Sequence, residues 1–284
     1  MKIKQNFCVL SGIIISAIMI ISFISCSNDE RDLRMSSSQA VKELQVYATI
    51  HNTGLDFIKE KVAQTPNNYR LDSIFNCYVR LKYGYDESAT IINKISPLTK
   101  RFFCEMSPNL VCSRSYLFNV QNSKTNELAL KALKTCMDKI HYCIAEVNND
   151  DMFDNKYLLS DLHLIINKTY IEFSDSCKSK FDIDALKVTL GTLYGSVEYW
   201  SNSKNVESWS GIQVSYAGIA STPLQTRGNA KKETSKKLSK AEWIQLVADA
   251  DAAGAIAGSW FGPQAGAAAG LAASAAVAAT YEVE

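Results

Sequence analysis

The chain is poor in the residues that usually announce chemistry. Only three histidines, His51, His141 and His163, lie far apart along 284 residues. No Cys-x-x-Cys pair occurs, so a structural zinc site of ordinary ligand spacing is not indicated. Alternation of apolar and polar residues is nearly absent, which argues against half-buried strands. Charge of one sign is lacking as well: 30 Lys and Arg face 29 Asp and Glu, a net of +1. A near-neutral protein has no field to draw it to nucleic acid, and that partner class is set aside. No Ser–His–acid or Cys–His arrangement is marked, so the chain reads as non-enzymatic, with no catalytic residue, metal or cofactor assigned. Asp150, Asp151 and Asp154 do not match the twelve-residue calcium loop, and acids so placed more often cap helices.

What is present is helix. The composition is 47% hydrophobic, enough for a proper core. Ser36, Ser37 and Ser38 offer an N-cap for a helix to about Gln64, with Val41, Leu44, Tyr47 and Ile50 at helical spacing. Further helices are predicted over about 70–83, ended by Gly84, then 87–95 and 97–106, the last opened by Pro97. The clearest spans Asn126 to Val147, where Leu130, Leu133, Met137, Ile140 and Ile144 form an apolar stripe. Another follows to about Ser176, and Asp182 or Asp184 caps one that runs to Trp200. The fold class is mainly α: a helical-bundle body over 36–202, a linker with a basic cluster over 203–238, and a glycine-rich helical hairpin over 239–284. Within the linker, Trp209, Ile212, Val214 and Tyr216 are able to pack onto the body. Lys231, Lys232, Lys236 and Lys237 suit either anionic headgroups or plain solvent.

The amino terminus has the parts of an export signal. Lys2 and Lys4 precede an uncharged, mostly apolar run from Phe7 to Ile24, and small Ser25 precedes Cys26. That run is long enough to span a bilayer, which leaves an uncleaved anchor as the rival reading. Against it, Cys26 falls where the run stops, and Ser27-Asn28-Asp29-Glu30 turns polar and acidic at once. Phe23-Ile24-Ser25-Cys26 resembles a relaxed lipobox. Followed by acidic residues, it resembles lipoproteins of the Bacteroidetes type, in which such a stretch is associated with display on the outer surface. The resemblance implies a signal peptide over 1–25, lipidation of Cys26 and a tether over 26–35. It also implies an outer-membrane location, with surface display preferred to the periplasmic face.

Without Cys8 and Cys26, six cysteines remain: Cys77, Cys104, Cys112, Cys136, Cys143 and Cys177. An even number in an exported chain permits up to three disulfides, and buried free thiols are an equal alternative. Cys136 and Cys143 share a helix face but stand roughly 10 Å apart along it, too far to bridge one another.

The sharpest pattern is carboxy-terminal. Ser239 and Glu242 have the spacing of a capping box. Gly254, Gly258, Gly262, Gly266 and Gly270 then recur every fourth residue, five of the chain's thirteen glycines. Residues four apart share a helix face, and glycine there lets another backbone approach closely. Each glycine costs a helix roughly 1 kcal/mol against alanine, so close contacts must offset it. Pro263 suits a helix start and breaks an interior, which predicts a hairpin of helices over about 240–261 and 264–280. In it Gly254 and Gly258 would face Gly266 and Gly270. The hairpin has three open readings: a soluble unit docked on the body, a membrane-inserting and self-associating element, or an interface for a partner helix.

The ladder, led by Ala248-Asp249-Ala250-Asp251, resembles the glycine-zipper tails of secreted and bacteriocin-like bacterial proteins. His51-Asn52-x-x-Leu55 and Ser196-x-x-Tyr199-Trp200 resemble phrases of uncharacterised Bacteroidetes-type lipoproteins. Neither resemblance implies an established activity. Together the readings make this a surface lipoprotein of binding or scaffold type, with a membrane-active, toxin-like factor as the alternative.

Overall fold

The computed structural model describes residues 35–64, 70–100, 126–209, 212 and 237–284. The signal segment, Cys26, Cys104, Cys112, Val214, Tyr216 and Lys231, Lys232 and Lys236 lie outside them. The architecture is mainly α. Its long helices among the described residues are α1 (Ser37–Gln64), α2 (Leu71–Tyr83), α3 (Tyr85–Lys100), α4 (Glu127–Ala145), α5 (Lys156–Ser174), α6 (Lys180–Trp200), α7 (Lys240–Ser259) and α8 (Pro263–Thr280). A two-residue parallel pairing joins Lys237–Leu238 to Glu282–Val283 and closes the base of the α7–α8 hairpin. Ser37 to Glu284 form one compact unit.

Local signals explain most boundaries. Gly84 ends α2 at φ 77°, a conformation that glycine adopts without a Cβ penalty, and its N–H returns to the carbonyl of Arg80. Asn126 and Asn155 cap α4 and α5 through their side-chain oxygens. α6 is capped by Ser179 rather than by Asp182 or Asp184. Asp182 is instead the third residue of a capping box, and its other oxygen accepts from Asn126 Nδ2 at 2.7 Å, tying the starts of α4 and α6 together. The two helices expected around Pro97 are one. Pro97 stands in the last described turn of α3, where its missing N–H removes a single backbone bond and buried Ile91 and Ile95 hold the preceding turns.

Pairing between helices sets the layout. α1 and α6 run parallel, with Glu43 on Lys187, Asn52 on Glu198 and Asp56 on Tyr199. α7 runs antiparallel to both and α8 parallel. The hairpin lies against α6 and α1, with α4–α5 packed on one side of this centre and α2–α3 on the other. α7 is buried from Trp243 onward on nearly every face, and α8 is buried from Ala265 to Ala279. A helix apolar all round belongs in an interior, and this hairpin supplies one.

Small residues set how close the helices come. A Cβ on Gly258 would lie 2.5 Å from the Ala265 carbonyl oxygen and 2.9 Å from Gly266 Cα, and one on Gly254 would lie 2.6 Å from the Ala269 oxygen. Gly258 therefore faces Gly266, as the register predicts. Gly254 instead faces Ala269 and Ala273, and Gly270 meets the Asp251 backbone and Thr192 of α6. Gly262 takes no part in the packed face. It makes the turn at φ 110°, and Pro263 opens α8 behind it. A second close approach repeats the device: Gly191 and Gly195 of α6 would bring a Cβ within 2.8 Å of Leu44 O and 2.7 Å of Ala48 Cα on α1.

Gly258→Ala is expected to destabilise the fold by about 1–3 kcal/mol, although alanine is the better helix former by roughly 1 kcal/mol. The obstructing atoms are backbone and cannot swing away. Chemical denaturation checks this, and an unchanged or raised midpoint would contradict the packing account.

Candidate functional site

Four of the five ladder glycines lie inside the protein, so the functional question moves to what holds the hairpin there. Two acids on α7 stand out because the helix around them is apolar. Asp251 is fully buried, and its Oδ2 lies 3.1 Å from Nε2 of His51, itself fully buried on α1. Asp249 is 8% exposed, and its Oδ1 lies 3.3 Å from Nε2 of His141 on α4. Each acid pins the hairpin to a different helix of the body.

The protonation of His51 follows from its neighbours. Nδ1 lies 2.8 Å from Asn52 Oδ1, and Asn52 Nδ2 donates to Glu198 at 3.1 Å, which fixes the amide with its oxygen toward the ring. Nδ1 therefore donates to the Asn52 oxygen, and Nε2 faces the Asp251 carboxyl group. Burial lowers the pKa of His51, but the charge of Asp251 and the bonds to Asp251 and Asn52 outweigh it, and the net shift is upward. Burial raises the pKa of Asp251, while His51 and the hydroxyls of Ser196 and Ser274 offset only part of that rise. Ser274 in turn accepts from Trp200 Nε1 at 3.0 Å, so the network runs from α1 through α7 and α8 to α6.

An aromatic cluster closes the end of α6 around this network. The Trp200 ring lies 5.6 Å from both Trp209 and Trp243, in tilted, edge-on arrangements. Trp209 belongs to a helical stretch at 203–209 and is fully buried, as expected of it, and Ile212 is buried too. Asp154, one of the three clustered acids, caps that stretch: its carboxylate accepts from the backbone N–H and the hydroxyl of Ser203. Among the described residues no group of three or more His, Cys, Asp or Glu is placed to share a metal ion. Cys77, Cys136, Cys143 and Cys177 are free thiols, and burial pushes Cys136 up to about 12. His163 stacks on Tyr194 at 3.8 Å, and burial lowers it to about 4.

The His51–Asp251 pair has no solvent exposure and joins α1 to α7. An open surface feature lies elsewhere. A groove of about 710 Å³ between α4 and α5 is lined by Tyr142, Val147, Tyr157, Leu158 and Ile165, with Asp138, Glu146 and Asp161 against Lys139 at its polar edge. Such a volume suits a side-chain cluster or small ligand. Among the described residues no helix is long and apolar enough to cross a membrane. Comparison with family models, curated proteins and solved structures finds no match.

In the sequence Asp249 and Asp251 stand only as the lead into the glycine ladder and His51 only in a short phrase with Asn52, and nothing there joins them. The available signal was two acids inside an apolar helix, since a buried carboxylate requires a partner.

His51→Leu is expected to cost about 3–5 kcal/mol at neutral pH by stranding the Asp251 charge, and His51→Leu/Asp251→Leu to recover most of it. The pH sign follows from the raised pKa values. A raised His51 contributes fully below about pH 6.5 and loses that contribution as pH rises through its folded value, and Asp251 acts in the same direction from lower pH. His163, lowered, acts in the opposite direction but only below its unfolded value. Wild-type unfolding free energy should therefore fall as pH rises above about 6.5, while the double variant stays flat over the same range. Denaturant titrations at several pH values read both, and parallel curves would contradict the assignment.

Proposed function

We propose that the chain is an exported lipoprotein, lipidated at Cys26 and displayed at the outer membrane surface, whose helical domain binds or scaffolds a partner without catalysing a reaction. The observation that carries the binding-scaffold reading is the use of the glycine ladder. Its faces are occupied by the protein's own α6, α7 and α8. A bilayer-inserting hairpin would have to abandon those contacts and expose the Asp251–His51 charges, which are expensive in hydrocarbon. The zipper thus reads as the core of a tethered domain, which favours this function over the membrane-active alternative.

Support for the anchor comes from the sequence: the charged start, the apolar run, the relaxed lipobox and the acids after Cys26. The α4–α5 groove offers the partner a place, with Tyr142 and Tyr157 exposed as adaptable amphipathic contacts. It lies toward the end of the bundle where α6 finishes, since Asp154 at the head of α5 bonds to Ser201 and Ser203.

Fractionation and surface proteolysis of intact cells test the proposal. The wild type is expected in the outer membrane and open to external protease, while Cys26→Ala leaves the outer-membrane fraction and is no longer shaved. If the variant fractionates and is shaved like the wild type, the lipid anchor is wrong.

A further inference from the structure

One end of the bundle carries an apolar cluster that neither the core nor the groove uses. Phe181, Trp260 and Phe261 are exposed to 39%, 41% and 40%. Trp260 and Phe261 form the tip of the α7–α8 hairpin, and Phe181 meets Trp260 edge to face at 5.4 Å. The turn itself does not call for aromatic residues, because Gly262 at φ 110° and Pro263 reverse the chain. Side chains of this size held together in water mark a contact surface.

The position of this cluster relative to the chain's start points to what covers it. α1 and α6 are parallel, and Glu43 meets Lys187 at 3.0 Å. The close approaches of Gly191 to Leu44 and of Gly195 to Ala48 place Ser37 about one turn past Phe181 along α6, still toward its starting end, where its hydroxyl accepts from Asn167 of α5 at 2.8 Å. The compact unit therefore begins, at Ser37, on the same end that bears the aromatic tip. From Cys26 to Ser37 a fully extended chain reaches at most roughly 40 Å, so a lipid on Cys26 keeps this end of the unit within that distance of its membrane. The far end of α6 lies about 30 Å beyond.

The surrounding charge selects the kind of surface. Lys178 and Lys180 are exposed beside Phe181, but Lys180 pairs with Asp184, Asp175 is exposed nearby, and Asp182 is engaged by Ser179 and Asn126. The patch is balanced, not basic, so electrostatic capture by anionic lipid is not its chemistry. Tryptophan with phenylalanine at an exposed tip is the chemistry of the membrane–water interface.

We infer that Trp260, Phe261 and Phe181 form an interfacial membrane contact, seated at the headgroup–acyl boundary of the membrane that holds the lipid on Cys26. This rests on the lipid-anchor reading. Two attachments at one end, lipid and aromatic tip, fix the orientation of the bundle. The α4–α5 groove, toward the far end of α6, is then held at a distance from the bilayer.

The tryptophans provide the test. The chain has four, and Trp200, Trp209 and Trp243 have no exposure, which leaves Trp260 as the one within reach of lipid. The native lipidated protein is reconstituted into phosphatidylcholine vesicles carrying brominated acyl chains, and its fluorescence is compared with that in unbrominated vesicles. The expected result is loss of one tryptophan's share of the emission, insensitive to salt and absent in Trp260→Phe. A lipidated, vesicle-bound protein that shows no such loss, its Trp260 still open to aqueous acrylamide, overturns the contact and assigns the patch to a protein partner. Quenching that persists in Trp260→Phe also overturns it, because the buried tryptophans would then have reached lipid by insertion of the hairpin. Intact mass spectrometry reads the lipid on Cys26 separately. Quenching without lipid refutes the anchor and keeps an interfacial tip, lipid without quenching does the reverse, and neither refutes both.

Discussion

The structure depends on backbone-to-backbone approach at the hairpin. Gly258 and Gly266 leave no room for a side chain between α7 and α8, and Gly191 and Gly195 do the same between α6 and α1. Four helices consequently stack closer than ordinary aliphatic packing allows, and alanines fill what remains. Small residues contribute little apolar area each, so such a core gains its stability from many short contacts. Fit, more than bulk, holds it. A methyl group too many is expected to be felt at once.

Close packing of small residues is also poorly specific, since alanine faces can slide past one another by a turn. Polar pairs supply the missing register. Asp251 can meet His51, and Asp249 can meet His141, at only one setting of α7 against α1 and α4. The Trp200–Ser274 bond sets α8 against α6 in the same way. A buried ion pair is weak support for stability by itself. Here its role is to exclude alternatives.

Much of the local structure was legible before the fold was known. Periodicity located the long helices, Ser239 and Glu242 marked the start of α7, and Pro263 divided the hairpin. Local signals failed where two competed. Asp182 looks like a cap until Ser179 is seen three residues earlier, and Pro97 looks like a beginning because a proline inside a helix costs one bond that tertiary packing can tolerate. The internal use of the ladder stood as one of three open readings, for a glycine face states that something comes near but not what. The Gly191–Gly195 pair was missed for the opposite reason, as two glycines in an apolar helix do not form a visible series. Long-range partners such as His51 and Asp251, two hundred residues apart in sequence, are set by topology, which pattern alone does not contain.

In functional terms the molecule divides along its length. One end gathers the start of α1 and the aromatic tip, and toward the other lies a tyrosine-rich groove with an acidic edge. Between them the hairpin acts as a rigid spine. Everything proposed for the protein, from tether to partner, requires that spine to stay in place. Native-state hydrogen exchange measures this most directly. The account predicts that amides of α7 and α8 exchange only through global unfolding, at the same free energy as the best-protected amides of α1 and α6. A hairpin that exchanges at clearly lower free energy, opening as a unit while α1 and α6 stay folded, would contradict it.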